Sequence, residues 1–269
     1  MTDTEYILGT QDDELIRLEN QHQVWKKETE SLYQAAQFNT GQTILDLGCG
    51  LGLTTIDLHN IVGHTGTVKA IDASEKFMHI LQAKCKQDHI HNIEIQHTDV
   101  QNLALPATSI DGAFARWRFC FLDQPDALIQ QISKALKPGG TFAILDYINY
   151  QALALQPPST QFKRIFGAVY ESFQNSGGGL DIGGYLPDLL NRHDLNVIHL
   201  NPICHLSPPG SPIWNWVQTF QDVYVTTLID KYFTQKEYDA FRSEWKKYSQ
   251  TPGTFLFGPP MVSIVAQKG

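Results

Sequence analysis

Cysteine is scarce in this sequence, and the few cysteines are not arranged as they are in metal or disulfide sites. Cys49, Cys85, Cys120 and Cys204 lie far apart and form no C-x-x-C pair. Such spacing argues against a disulfide framework or a zinc site, and it predicts free thiols in a reducing compartment.

Long apolar runs and clusters of basic residues are also missing. No apolar stretch approaches the length of a membrane-spanning helix, and residues 1–5 are acidic, without the apolar centre of a signal peptide. The formal net charge is −8. That charge argues against nucleic acid as the main partner, because phosphate binding draws on clustered positive charge. We therefore expect a cytoplasmic protein without a membrane or nucleic-acid partner.

The chain does contain a glycine-rich turn between a predicted strand and a predicted helix. Residues 43–52 read TILDLGCGLG, so that a short apolar run leads into glycines at positions 48, 50 and 52. A helical pattern then begins near Leu53 and stops at Gly63. This order of elements lets the backbone pass close to a nucleoside-bearing ligand. Glycine is required because a Cβ would block the approach and because such turns adopt positive φ.

Two carboxylates near the turn indicate the kind of ligand. Asp72 ends a second apolar run about 20 residues after Gly52, where a carboxylate can accept hydrogen bonds from both ribose hydroxyls. Leu53 stands where a dinucleotide-binding G-x-G-x-x-G pattern needs its third glycine. Asp46 suits a ligand with an ammonium group and would repel a pyrophosphate. Leu53 and Asp46 thus oppose a nicotinamide oxidoreductase.

The turn resembles motif I of the class I S-adenosylmethionine-dependent methyltransferases. The resemblance covers residues 43–147, because further motifs follow in the family's order: Asp99-Val100 after the third predicted strand, residues 110–116 along the fourth, and residues 136–140 before the fifth. It implies S-adenosylmethionine as the cofactor and methyl transfer to a small-molecule acceptor. A protein that holds this cofactor or its demethylated product without transferring a methyl is the alternative.

The resemblance also implies which residues contact the cofactor. In the motif region these are Asp46, Gly48, Cys49 and Gly50 at the methionine part, Asp72 at the ribose, Ala73 and Met78 beside the adenine, Asp99 and Val100 at its edge, and Arg116 through its backbone. The N-terminal segment resembles that of small-molecule methyltransferases, which places Tyr6 and Trp25 near the methionine part. Packing on the core is the alternative role for Trp25.

Alternating strand and helix patterns predict an α/β fold with a doubly wound, mostly parallel seven-stranded sheet. We expect a single domain, 1–269, in which residues 1–41 form a helical cap and residues 42–150 the cofactor-binding core. Residues 151–269 form the substrate-side half. An aromatic helical insertion, 212–250, precedes an antiparallel last strand, and it could serve as core, pocket lid or subunit contact. The chain could be a monomer or a homodimer.

The catalytic residues cannot be assigned from the motifs. Methyl transfer from a sulfonium is an in-line displacement that needs alignment and exclusion of water, and a base only when the acceptor is protonated. Candidate pocket residues follow the fourth and fifth strands: Arg116, Trp117, Arg118, Phe119, Asp146, Tyr147, Asn149 and Tyr150. Either arginine could hold an acidic acceptor, and Asp146 or Tyr147 could be a base or a strand-end cap.

Two other kinds of site are not expected. The Asn/Asp-Pro-Pro-Tyr sequence that grips an extruded base is absent after the fourth strand, where residues 115–118 read ARWR. A metal is not expected either, because Arg116 stands where metal-dependent catechol-type enzymes need an aspartate. His89, His91 and His97 lack matching ligand spacing and are interpreted as surface residues.

Overall fold

The computed structural model describes residues 12–269. In this part of the chain the strands are β1 Thr43–Leu47, β2 Thr67–Asp72, β3 Ile93–His97, β4 Ile110–Arg116, β5 Leu136–Tyr147, β6 Ala154–Gln156, β7 Leu195–Ile203, β8 Leu206–Ser207, β9 Phe255–Phe257 and β10 Met261–Lys268. The α-helices are α1 Asp12–Val24, α2 Lys26–Ala35, α3 Leu53–Val62, α4 Glu75–Gln87, α5 Pro125–Ala135, α6 Thr160–Asn175, α7 Leu186–Arg192, α8 Pro212–Val223 and α9 Gln235–Tyr248.

Seven strands form the central sheet, in the order β3-β2-β1-β4-β5-β10-β7. The pairs from β3 to β5 are parallel, whereas β10 runs antiparallel to both β5 and β7. The predicted doubly wound, mostly parallel seven-stranded sheet with an antiparallel last strand is therefore confirmed.

The middle strands are buried on both faces, which explains their continuous apolar sequences. In β1, Ile44 packs into a core cluster on one face of the sheet, and Leu45 and Leu47 pack into a second cluster on the other. Local signals set the helix ends: Ser74 caps α4 by accepting a hydrogen bond from the Phe77 amide at 3.2 Å. These elements fix the ends of the central strands, where the candidate site lies.

Within the predicted N-terminal helical cap, the described chain forms two helices, α1 and α2. Trp25, with φ −103° and ψ 13°, separates α1 from α2. Its ring is fully buried and makes edge contacts with Trp117 and Trp216, with centroids 5.8 and 5.2 Å apart. The break lets each helix pack separately, because one straight helix would carry part of its apolar face away from the core.

A second, small sheet was not predicted. Strands β6, β9 and β8 form a three-stranded antiparallel sheet, and each is too short to show an alternating pattern. The helices α8 and α9 lie between β8 and β9, and α8 packs against α1. Within residues 12–269, none of the helices combines the length and the apolar character needed to span a bilayer.

Candidate cofactor and acceptor site

A large open cavity lies where the carboxyl ends of β1, β2, β4 and β5 meet. Its volume is about 1240 Å³ when measured out to the solvent at its mouth. The glycine turn, α1 and α8 contribute residues to its wall. Ligands of open α/β sheets bind at this edge.

The glycine turn has the backbone that was predicted for it. Gly48, Gly50 and Gly52 all have positive φ, at 69°, 54° and 78°. A Cβ on Gly48 would come within 2.8 Å of the Arg118 side chain, and one on Gly52 within 2.3 Å of Leu81. A Cβ on Gly50 would meet no atom within 4 Å. Close packing explains the glycines at positions 48 and 52. At position 50, a side chain would instead occupy open space at the cavity wall.

Asp72 joins the end of β2 to this turn. Its Oδ2 accepts a hydrogen bond from the Gly50 amide and its Oδ1 one from the Ser74 amide, both at 2.9 Å. Asp72 lines the cavity and is half-buried. Each carboxylate oxygen can accept a further hydrogen bond, so the group can receive the two neighbouring hydroxyls of a ribose.

Asp46 is a buried carboxylate beneath the turn. Its Oδ2 accepts hydrogen bonds from the hydroxyls of Thr54 and Thr55, at 2.9 and 2.7 Å. Burial raises the pKa of Asp46 to about 6, although these hydrogen bonds and the charge of Arg116 act in the opposite direction. Asp46 is therefore ionised at neutral pH, and it supplies negative charge to the cavity wall that it lines.

The Arg116 side chain joins the end of β4 to the N-terminal helices. Its Nη1 donates to the Thr29 hydroxyl at 3.0 Å, and its Nη2 lies 3.4 Å from His22 Nδ1. The guanidinium also stacks over the Trp117 ring, 5.0 Å from the centroid. Burial, followed by the charge of Arg116, lowers the pKa of His22 to about 4, so His22 is neutral. The sequence predicted a backbone contact with the cofactor or a hold on an acidic acceptor for Arg116, and it did not predict this link to the N-terminal helices.

The two residues after β4 are held in place by their neighbours. Trp117 adopts a left-handed φ of 49°, which is rare for a bulky residue. Its amide donates to the Leu145 carbonyl at 2.8 Å, and its Nε1 lies 3.2 Å from the Met261 sulfur. Arg118 is buried, with Nη2 3.5 Å from Asp99 Oδ1. Strained backbone such as that of Trp117 concentrates at functional sites. No local sequence pattern predicted it.

The part of the cavity away from the turn is mainly aromatic. Its wall includes Tyr147, Tyr150, Phe173, Trp216 and Phe220. The last two lie on α8, within the segment that was predicted as an aromatic insertion. Phe173, on α6, was not singled out from the sequence, because its spacing there matches that of an ordinary core helix.

Arg17 is the charged residue that α1 contributes to the wall. It forms two hydrogen bonds of 2.6 Å with Glu14 and one of 2.7 Å with Gln21. Gln21 also accepts a hydrogen bond from Trp216 Nε1 at 2.9 Å. The guanidinium is therefore fixed in place between α1 and α8.

Asp146, a candidate base, caps the strand end. Its oxygens accept hydrogen bonds from the amides of Phe119 at 2.9 Å, Cys120 at 3.2 Å and Tyr147 at 2.9 Å. Asp146 is fully buried, which raises its pKa to about 7, and it does not line the cavity. Tyr147 does line it, but burial raises the pKa of its hydroxyl well above 10. The structure thus favours capping for Asp146 and a protonated phenol for Tyr147.

Seven of the predicted cofactor residues lie together in the cavity wall: Asp46, Gly48, Cys49, Gly50, Asp72, Ala73 and Arg116. Trp117, Arg118, Tyr147 and Tyr150, predicted as pocket residues, also line it, whereas Phe119 and Asn149 do not. Lining residues that sequence analysis did not single out include Thr54, Ser74, Phe77, Phe121, Phe173 and Leu180.

Four predicted cofactor residues are placed elsewhere. Trp25 is enclosed in the core by other rings, and Met78 and Val100 are buried outside the cavity wall. Asp99 accepts a hydrogen bond from the Gln101 amide at 3.0 Å and pairs with Arg118. Contact of these four residues with the cofactor stays a prediction. Tyr6 lies outside the described residues.

Comparison with known families agrees with this architecture. Residues 44–140 match the family model described as a methyltransferase domain. A demethylmenaquinone methyltransferase from Staphylococcus saprophyticus is 30% identical over 153 residues, which cover 56% of this chain and 60% of that protein. One from Listeria welshimeri is 28% identical over 151 residues, covering 55% and 59%. The chain thus spans about three fifths of the length of these curated relatives.

Solved structures share the fold at low sequence identity. A putative methyltransferase from Bacillus halodurans has a TM-score of 0.60 at 14% identity, over 90% of this chain and 99% of that one. Geranyl diphosphate C-methyltransferase from Streptomyces coelicolor, solved with S-adenosylhomocysteine, has a TM-score of 0.58 at 14% identity, over 91% of this chain and 77% of that one. The [4+2]-cyclase SpnF has a TM-score of 0.59 at 14% identity, over 90% of this chain and 80% of that one.

The sheet order, the glycine turn and the matched domain define a methyltransferase fold of the Rossmann-like type. The part of the chain that matches the methyltransferase domain, residues 44–140, therefore resembles the class I S-adenosylmethionine-dependent methyltransferases. The family resemblance drawn from the motifs of residues 43–147 is confirmed.

Proposed function

We propose that this protein transfers the methyl group of S-adenosylmethionine to a small-molecule acceptor. The observation that carries the proposal is the position of Asp72, whose carboxylate is fixed against the Gly50 amide at the edge of an open cavity. A carboxylate held at this point of the fold suits a ribose. The glycine turn beside it can receive the methionine part, with Asp46 near its ammonium group.

The wall of the cavity suits the chemistry of methyl transfer. The sulfonium loses its positive charge as the methyl moves to the acceptor, so the protein has to align the two and keep water out. Trp117, Tyr147 and Trp216 line the cavity, with the Trp117 ring next to both of the others. Their rings can shield the reacting atoms from solvent, and their faces can attract the sulfonium.

In this proposal the chain is one domain whose three parts have different roles. The helices before residue 41 cap the cavity, residues 42–150 hold the cofactor, and residues 151–269 supply much of the acceptor side. The relatives named as demethylmenaquinone methyltransferases support a small-molecule acceptor. The proposed location is the cytoplasm, which the free cysteines of the described chain support.

A protein that binds the cofactor without methyl transfer is the second candidate. The [4+2]-cyclase SpnF has the same fold, so the fold alone does not determine the reaction. Formation of S-adenosylhomocysteine in the presence of an acceptor distinguishes the two candidates. Binding without this product would favour the second one.

Calorimetric titration with S-adenosylmethionine tests the proposal directly. Asp72→Ala should weaken binding about 10- to 100-fold, because it removes charged hydrogen bonds to the ribose. Asp188→Ala is the matched control, since Asp188 lies exposed on α7. No binding to folded wild-type protein, or equal binding to both variants, would contradict the assignment of the cofactor site.

A further inference from the structure

The side-chain amide of Gln21 joins the helix α1 to the helix α8 at the wall of the cavity. Its Oε1 accepts a hydrogen bond from Arg17 Nη1 at 2.7 Å and one from Trp216 Nε1 at 2.9 Å. Both of these groups can only donate, so the amide oxygen has to face them, and its two lone pairs are both used. All three residues line the cavity. One oxygen therefore holds an arginine of α1 and a tryptophan of α8 in a fixed relation.

On the α1 side, this link reaches the glycine turn. Leu15 and Leu18 pack against the apolar cluster that contains Cys49 and Leu51 of the turn. Leu18 lines the cavity, as Arg17 does. A ligand at the glycine turn therefore has α1 as one of its walls, and contact with the ligand restrains this helix.

On the α8 side, the link reaches the aromatic part of the cavity. The Trp216 ring lies nearly parallel to that of Trp117, at 18° with centroids 6.2 Å apart, and it meets the Trp25 ring edge-on at 5.2 Å. Phe220 follows Trp216 by four residues, so it lies on the same face of α8, and it lines the same cavity. The position of α8 thus determines the shape of this part of the cavity.

A displacement of α1 without α8 would be costly. Trp216 is buried, so without Gln21 its Nε1 would lack a hydrogen-bond partner in aromatic surroundings, and an unpaired buried donor costs more than the hydrogen bond itself contributes. Arg17, which is buried as well, would lose its contact with Gln21. We therefore expect the two helices to move together.

We propose that Gln21 is a positioning residue that couples the cofactor to the acceptor side of the cavity, an inference that rests on the proposed function. A cofactor at the glycine turn restrains α1, and the hydrogen bond between Gln21 and Trp216 passes this restraint to α8. Trp216 and Phe220 are thereby held in place for the acceptor, and methyl transfer depends on such alignment. Coupling of this kind is reciprocal, so a bound acceptor strengthens cofactor binding by the same factor.

Amide hydrogen exchange with and without S-adenosylhomocysteine tests the coupling. In wild type the ligand should slow exchange in both α1 and α8, and in α8 by about fivefold or more. In Gln21→Leu, α1 should still respond to the ligand while α8 no longer does. Gln21→Glu keeps oxygen acceptors for both donors and should restore the response of α8. If α8 does not respond in wild type, or responds equally in Gln21→Leu, the inference is wrong.

The chain contains a matched control for this hydrogen bond. Trp245 Nε1 donates to Gln218 Oε1 at 3.2 Å, which joins α9 to the same helix α8, and neither of these two residues lines the cavity. Gln218→Leu therefore removes a bond of the same kind outside the site, and α8 should still respond to S-adenosylhomocysteine in this variant. Loss of the response in Gln218→Leu as well would show that any loosening of α8 abolishes it, and the assignment to Gln21 would be wrong.

A double-mutant cycle separates the hydrogen bond from other effects of the substitutions. Trp216→Phe keeps an aromatic ring but removes the donor, so it should weaken S-adenosylhomocysteine binding about two- to tenfold, as Gln21→Leu should. The double variant should bind no more weakly than Gln21→Leu alone, because both substitutions remove the same bond. Additive losses in the calorimetric titrations would overturn the inference.

The failures of the two proposals can be told apart. If S-adenosylmethionine binds in a manner that depends on Asp72 but hydrogen exchange in α8 does not respond to S-adenosylhomocysteine, the coupling is absent and the proposed function stands. If neither compound binds to the folded protein, the proposed function fails, and the coupling through Gln21 fails with it.

Discussion

Gly48 lies directly against the side chain of Arg118: an ideal Cβ on Gly48 would be 2.8 Å from Arg118 Cδ. Arg118 is in turn paired with Asp99, at 3.5 Å between Nη2 and Oδ1. The glycine turn after β1 and the residues after β4 are therefore packed as one unit. A change at the turn has to displace an arginine that lines the cavity.

Comparison of two glycines separates this packing from backbone strain. Gly48 and Gly139 both have positive φ, at 69° and 79°, but a Cβ on Gly139 would meet nothing within 4 Å. Gly139→Ala should cost about 1 kcal/mol of unfolding free energy through strain alone. Gly48→Ala should cost more and weaken S-adenosylmethionine binding at least tenfold. Urea unfolding and calorimetry measure the two effects, and equal results for both variants would contradict the packing argument.

Arg116 should hold the N-terminal helices to the sheet. Arg116→Met removes the hydrogen bond to Thr29 and the contact with His22. We expect a loss of about 2–4 kcal/mol of unfolding free energy and faster proteolysis between α1 and α2. Arg192→Met, a change at an exposed arginine on α7, is the control. If the two variants unfold and are cleaved alike, Arg116 does not hold the helices.

His22 should make the protein less stable in mild acid. Its pKa is lowered from 6.5 to about 4 in the folded state, so below pH 6.5 the unfolded chain takes up a proton that folded His22 does not. Between pH 7.5 and pH 5, wild type should lose about 2 kcal/mol of unfolding free energy relative to His22→Gln. His79→Gln, at an exposed position on α4, is the control variant. If the difference in unfolding free energy between wild type and His22→Gln did not change with pH, the assignment of a neutral, buried His22 imidazole would be contradicted.

Asp146 should act through the backbone that it caps, and not as a base. Asn offers one acceptor oxygen in place of two, so Asp146→Asn should lose about 1–3 kcal/mol by leaving an amide among Phe119, Cys120 and Tyr147 without its partner. The pH midpoint of kcat/KM should remain where it is in wild type. Circular dichroism melting and a pH–rate profile provide the two measurements. If the alkaline or acidic limb of the pH–rate profile were lost in Asp146→Asn, Asp146 would take part in proton transfer.

The sequence was most informative where local chemistry determines structure. The apolar run of β1 and the glycines after it determine a buried strand and a turn with positive φ, and Asp72 follows at the spacing that brings it to Gly50. These features depend on neighbours in the chain or on the next strand. They could therefore be predicted together with the seven-stranded sheet.

Features that depend on distant parts of the chain could not be predicted. The break at Trp25 exists because its ring packs against Trp117 and Trp216, which are far away in sequence. The left-handed φ of Trp117 likewise has no local signal. The role of Phe173 in the cavity wall depends on how α6 docks, which its helical spacing does not specify.

The small sheet has a consequence for how the acceptor range can change. Strand β8 enters the segment that holds α8 and α9, and β9 leaves it, with Leu206 paired to Phe257. The segment thus starts and ends at adjacent points, and such segments can be exchanged at little cost in chain entropy. Replacing residues 206–257 as a cassette would renew Trp216 and Phe220 while the glycine turn and Asp72 stay as they are. Under the proposed function, exchange of this segment would change the acceptor side of the cavity and leave the cofactor side unchanged.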